Sequence, residues 1–384
     1  VQRICFDHLS GTPVEPAVLD AMLPWFSVRF AGTGAVHAGG VEARAALDEA
    51  RDKVALFINA ASPEEIIFTS SGTESINLAI KGCAWANERR GKHIILSAIE
   101  HPAVVESIGF LKSNGFTSTV VPVSNEGRID PADITKALTP DTTLVCVHAS
   151  NHDVATIPDL RGIGEIVADR GVPMLVDATY AAGWIPLDVQ AINASYVAIA
   201  PHRFGGPKGA GILYKQRRSR LTPLIHGGAQ ELGWRAGTEN IPGIIGVGVA
   251  CELAAKDLKA RAIYVQNLQT QMWSSLKDRI PRICLNGPLP GSHRAPNSLN
   301  FSVEGVEGEG LALSLDLKGF ATTSGQACAT KANKIPATLA AIGVSQEFAP
   351  GTLILSFGKE NNSGEVDQFL EIFPSVVKNL RQLS

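Results

Sequence analysis

The chain has 384 residues, 45% of them hydrophobic and 18% charged, with a formal net charge of −3. That length calls for two subdomains rather than one simple core, and the near-neutral balance offers no basic face for nucleic acid. No apolar run approaches the ~20 residues of a membrane span, and VQRICFDHLSG at the start lacks a signal-peptide pattern, so a cytoplasmic protein with neither a nucleic-acid nor a membrane partner is expected.

From about residue 45 to 215, short β-branched runs alternate with helical periodicity. The predicted strands are EEIIFTSS (64–71), HIILSA (93–98), STVVPV (118–123), TTLVCVHA (142–149), PMLVDAT (173–179), YVAIA (196–200) and GAGILYK (209–215). Helical patterns lie between many of them, as in 73–90 and 160–171. Strands this continuously apolar belong to a sheet covered on both faces, so the architecture is α/β with a mostly parallel seven-stranded sheet. After about 255 the pattern changes. A long charged helix (254–280) leads to the shorter strands NSLNFSV and TLILSF and to a last helix from 365 to 383. This predicts a large domain over 16–255 and a small α+β domain built from 1–15 and 256–384, which carries the loop around Cys328.

Five stretches have the composition of a site. In FTSSGTESINLAIKG (68–82) a strand meets a helix through Ser-Ser-Gly-Thr. Gly72 and Thr73 there form either an anion cradle or a plain helix start. Asp177 ends an apolar strand, where a buried carboxylate needs a partner: a pyridinium nitrogen, a cation or backbone amides. His101 follows a strand and precedes a helix, placed either to stack on a planar cofactor or to cap the helix. HGGAQELGWRAGTENIPG (226–243) suits close backbone approach to an anion, or an ordinary surface loop. Of the six cysteines, Cys328 alone lies among small polar residues, as either a reactive or a chance surface thiol. No CxxC pair or metal-ligand spacing occurs, so no metal is expected.

In this order, the motifs resemble the class V aminotransferases of the fold-type I pyridoxal-phosphate enzymes, and most closely the NifS/IscS-type cysteine desulfurases. The resemblance runs from FDHLSGTPVEPAVLDAM through IIFTSSGTESINLAIKG, LVDATYAAGWIPLDV and GPKGAGILY to IHGGAQELGWRAGTENIPGIIG and SGQACAT. It implies pyridoxal phosphate joined to a lysine as an imine, and a loop cysteine that takes the substrate's sulfur as a persulfide. It assigns Gly72 and Thr73 to the phosphate, His101 to ring stacking and Asn151 to the ring hydroxyl. Asp177 is assigned to the pyridine nitrogen, His202 to the phosphate side and Cys328 to the persulfide. Thr238 is to reach the phosphate from the neighbouring subunit, which implies a homodimer.

The chain departs from that pattern on one side. Arg203 stands where the resemblance puts the imine lysine, beside Ala200 in place of a serine. Tyr180 replaces a glutamine, and His152 a glutamate. Ile354 replaces the arginine that grips the substrate carboxylate, and Leu232 another arginine, while Arg235 remains. One lysine-to-arginine exchange would not account for the rest, and Lys208, ordinary in GPKG, is expected to point elsewhere. A guanidinium stays protonated and has no free amine lone pair, so Arg203 can form no imine. Two expectations follow. One is a scaffold that handles sulfur through Cys328 and protein partners such as a sulfur acceptor. The other is an enzyme of altered chemistry that holds pyridoxal phosphate without a lysine link. An ordinary desulfurase is the third reading.

Overall fold

In the computed structural model, residues 3–291, 293–325 and 335–383 are described. The elements run β1 (Ile4–Cys5), α1 (Pro16–Met22), α2 (Pro24–Ser27), α3 (Ala38–Phe57), β2 (Ile66–Thr69), α4 (Gly72–Ala86) and β3 (His93–Ser97). Next come α5 (Pro102–Lys112), β4 (Thr117–Val121), α6 (Pro131–Ala137), β5 (Thr142–His148), α7 (Leu160–Asp169), β6 (Met174–Asp177), β7 (Tyr196–Ile199) and β8 (Gly211–Lys215). The chain continues through α8 (Ile241–Arg279), β9 (Ile283–Leu285), β10 (Ser298–Val303), α9 (Gly308–Asp316), β11 (Phe320–Ala321), α10 (Ala337–Ala341), β12 (Thr352–Ser356) and α11 (Ser363–Leu383).

Seven strands form the central sheet in the order β2-β8-β7-β6-β5-β3-β4. Only β8 runs against both of its neighbours, so the expected mostly parallel sheet is present. All residues of β5, β6 and β7 are buried, because helices cover both faces. The two-residue strand period divides them: Val145, Val147 and Val176 pack towards α3, α7 and α8, whereas Leu144, Cys146 and Leu175 pack towards α4 and α5.

A second sheet, β12-β10-β9, is antiparallel, and β1 pairs with β11. Its core gathers Phe6, Phe301, Phe357, Phe369 and Phe373 with Trp184. Helix α8 serves both cores without a break, from Ile244 and Val247 in the first to Val265 and Met272 in the second. The segment after β5 is tied to the second core by its backbone. Ile157 N–H donates to His293 O (2.9 Å), Ala295 N–H to Ala155 O (2.8 Å) and Asn300 Nδ2 to Asp153 O (3.1 Å). These bonds fix the loop that carries Asn151, His152 and Asp153 above the sheet.

Candidate active site

Strands β5, β6 and β7 end side by side, which is where open parallel sheets bind ligands. Asp177 closes β6 at 3% exposure, and its Oδ1 accepts from Thr179 N–H (2.9 Å) and Thr179 Oγ1 (2.6 Å). The same threonine reaches the start of α4: a Cβ on Gly72 would lie 2.5 Å from Thr179 Cγ2. Glycine at 72 therefore lets the helix N-terminus seat against the Asp177 loop. Ser71 Oγ takes the amide of Glu74 (3.1 Å), while the amides of Gly72 and Thr73 have no intrahelical partner, and Thr73 is exposed. Two free amides at the positive end of a helix form an anion cradle. Glu74 spans its rim, accepting from Ser70 N–H (2.8 Å) and pairing with Arg235 Nε (2.9 Å).

Arg235 comes from a loop pinned by a buried ion pair. Glu231 meets Arg51 through two hydrogen bonds of 2.9 Å and also accepts from Phe68 N–H (2.8 Å). Glu231 and Leu232 sit at φ 49° and 56°, a left-handed backbone that non-glycine residues adopt at a cost. The bidentate pair holds them there.

Beside the strand ends lies a cavity of about 560 Å³, with His101, Tyr180, Arg203 and Ile354 in its wall. His101 caps α5: its Nδ1 accepts from Ala103 N–H (3.0 Å), which leaves the proton on Nε2. Burial lowers its pKa to about 4, and the charges of His152 and Arg203 push the same way. The rings of His152 and Tyr180 lie 5.0 and 5.9 Å from it. The guanidinium of Arg203 sits 3.6 Å from the centroid of Tyr180, a cation–π contact, and Trp184 Nε1 holds the Arg203 carbonyl at 2.9 Å. Arg203 Nε and Nη1 are buried and have no hydrogen-bond partner among the described residues. Opposite them Ile354, on β12, is 3% exposed and gives the cavity an apolar wall.

The other expected residues divide. Asn151 is buried, but its amide shapes its own loop: Nδ2 donates to Ile99 O (2.7 Å) and Oδ1 accepts from the amides of Asp153 and Val154. His202 precedes Arg203 in a short 3₁₀ turn, and burial, then Arg203 and Lys208, lower its pKa to about 4. Lys208 lies against Gly11, 3.3 Å from where a Cβ would be, and does not line the cavity. Thr238 is exposed in a separate cavity of about 490 Å³ with Thr33, Gln230 and Leu232. Cys328 lies outside the described residues, although Gly325 and Pro336, described on either side of it, both line the larger cavity. The sequence reading passed over Glu100 and Asp7, which also line it. Glu100 is buried, and its Oε1 accepts from His148 Nδ1 (2.8 Å). Its place directly before His101 in SAIEHPAV was the available signal.

An open helix N-terminus, a buried carboxylate and a flat, neutral imidazole form a donor set that would fit a phosphorylated pyridinium ring. Fold and site together define an α/β protein of the fold-type I pyridoxal-phosphate class. Residues 4–369 match the aminotransferase class-V family. The chain is 38% identical over 383 residues to a cysteine desulfurase IscS of Clostridium botulinum, covering 100% of this chain and 96% of that protein. It is 39% identical to the IscS of Methanosarcina thermophila, over 100% and 94%. Among solved structures, a NifS-like protein superimposes with a TM-score of 0.92 at 33% identity, over 99% of this chain and all of that one. SspA in complex with cysteine superimposes with a TM-score of 0.81 at 31% identity, over 93% and 99%. The chain belongs to the class-V aminotransferase family, with the NifS/IscS-type cysteine desulfurases as its relatives, and that family is pyridoxal-phosphate-dependent.

Proposed function

We propose that this cysteine desulfurase-like protein does not carry out ordinary desulfuration and works as a non-catalytic scaffold that handles sulfur through Cys328. The observation that carries this reading is Arg203. It occupies the position the family resemblance gives to the imine lysine, is packed on Tyr180 with Nε and Nη1 buried, and carries a guanidinium with no free amine lone pair. Loss of a general base alone typically costs ~10²–10⁴ in rate. Ile354 adds to the argument, because an amino-acid carboxylate finds no cation on β12.

A second reading rests on the cradle. Gly72, Thr73 and His202 would hold the phosphate of pyridoxal phosphate, Asp177 its ring nitrogen and His101 its face, with no link to lysine. Bound there, the cofactor would supply an electron sink for an altered substrate. This chain's own contribution would be to orient the ring and keep His101 neutral. Both readings include a cytoplasmic homodimer in which Thr238 reaches the partner's site. A run of exposed apolar side chains, including Phe26, Val28, Phe30 and Val36, supports such a contact.

The absorbance spectrum of the purified protein separates the readings. The scaffold predicts no visible pyridoxal band and no sulfide release from L-cysteine. Cys328 should acquire a persulfide label when the protein is mixed with an active desulfurase. A band without borohydride sensitivity points to the non-covalently held cofactor. A band lost on borohydride treatment, together with sulfide release, restores the ordinary desulfurase.

A further inference from the structure

We propose that Arg203 is the anion receptor of the large cavity, and that the cavity takes a small carboxylic acid whose apolar tail lies against Ile354, Leu9 and Val105. This rests on the reading that Arg203 takes no part in an imine.

Three observations carry it. Arg203 has two buried N–H-bearing nitrogens, Nε and Nη1, with no acceptor among the described residues. A buried charged donor left unpaired is costly, so two such nitrogens with no acceptor among the described residues point to an acceptor supplied by a ligand. The guanidinium is also held in place by Tyr180 under its face at 3.6 Å, and Trp184 Nε1 fixes the residue's backbone carbonyl at 2.9 Å. It presents its donors at little further entropic cost. Finally, three carboxylates of the lining already have neutral or imidazole partners. Asp7 takes Ser10 Oγ (2.9 Å), Asp153 faces His152 Nε2 (3.4 Å) and Glu100 takes His148 Nδ1 on Oε1 (2.8 Å), its Oε2 having no partner among the described residues. Glu106, the fourth acid in the lining, is exposed, and among the described lining residues Arg203 is the only lysine or arginine.

The chemistry narrows the ligand. A phosphate already has the open amides of Gly72 and Thr73. A planar monoanion suits a planar guanidinium, and the apolar wall suits a hydrocarbon tail. The position of Arg203 moves the carboxylate grip from β12, where Ile354 stands, to the turn after β7.

Titration calorimetry on the full chain tests this with 3-methylbutanoate, its amide, 3-methylbutylamine and inorganic phosphate. The carboxylate should bind at least ~10-fold more tightly than the amide, and the amine not at all. Arg203→Met should abolish the preference without lowering the melting temperature, and Arg203→Gln, which keeps donors but no charge, should leave a small part of it. Equal binding of acid and amide, an unchanged preference in Arg203→Met, or Arg203-dependent binding of phosphate ahead of carboxylate would overturn the receptor. A borohydride-sensitive visible band would instead remove the reading on which the receptor rests.

Discussion

Arg51 and Arg203 both lie against aromatic rings, Phe68 at 5.0 Å and Tyr180 at 3.6 Å, yet their surroundings are opposite. Arg51 gives its guanidinium to both oxygens of Glu231, and that carboxylate also takes Phe68 N–H. Among the described residues Arg203 has no carboxylate partner, and two of its buried nitrogens have nothing to donate to. The first arrangement is complete, and it fixes the loop that delivers Arg235 to the rim of the cradle. The second is incomplete, and it opens onto a cavity. A buried charge whose valences are all met is part of the framework, whereas one left open marks a place for something else. The two walls of the site follow the same division. On the side of α4 and Asp177 the buried carboxylate is met by Thr179 and only backbone amides at the helix start stay open, whereas on the side of Arg203 and Ile354 it is a charged side chain that stays open.

The largest effect should come from breaking the complete pair. Glu231→Gln leaves Arg51 buried without its counter-charge and should cost about 3–5 kcal/mol in urea denaturation. The left-handed backbone at 231 and 232 then loses its restraint, so the 226–240 loop should also become sensitive to proteolysis. A loss below ~1 kcal/mol would mean that Arg51 finds other acceptors, and the contrast with Arg203 would collapse.

Acid should act next. His101 and His202 are both lowered to about 4, by burial first, then by neighbouring charges that include Arg203 in each case. Between the unfolded value of ~6.5 and about 4 the folded chain binds fewer protons than the unfolded one. Stability is therefore full above ~6.5 and falls as the pH drops, by about 3 kcal/mol for His101 by pH 4. Asp7, raised by burial, works in the opposite sense at the lower end of that range. Denaturation at pH 7, 5.5 and 4 reads the slope. Arg203→Met should make it shallower, and an identical slope would show that neither imidazole senses that charge.

On the wall of α4 and Asp177, Gly72→Ala places a methyl 2.5 Å from Thr179 Cγ2 and should cost about 1–3 kcal/mol. Thr179→Ser removes that methyl but keeps the hydroxyl on Asp177, so the double variant should regain most of the loss. No recovery would mean that the strain comes from the backbone at 72 rather than from the contact.

How far these walls were legible differs for physical reasons. All seven central strands and the helix start at Gly72 follow from apolar runs and a strand-to-helix junction, which are local signals. The start of α8 at Ile241 was not expected before about 254, because IPGIIGVGVACELA is buried on most sides and shows no amphipathic stripe. Its better signal was Asn240, whose side chain caps the helix ahead of a proline in the first turn. The reversed direction of β8 leaves no mark in its composition. The resemblance flagged Tyr180 and Arg203 one at a time, but their stacking arises only because β6 and β7 end side by side. Arg51 and Glu231, 180 residues apart, carry no pairing signal in a single sequence.

The smallest effect should also have the opposite sign. Arg203→Met removes a half-buried charge whose Nε and Nη1 have no acceptor among the described residues and replaces it with an apolar chain of similar reach. The loss of the contact with Tyr180, of order 1 kcal/mol, is offset by the desolvation cost no longer borne. Stability should therefore change by less than ~1 kcal/mol, or rise, while Glu231→Gln at the other arginine removes several. The same variant in the presence of a saturating carboxylate sharpens the test. Wild-type protein should then gain stability in proportion to ln(1 + [L]/Kd), and Arg203→Met should gain none. A loss above ~2 kcal/mol in the unliganded variant would place Arg203 in the framework with Arg51, and the open valences would no longer mark a site.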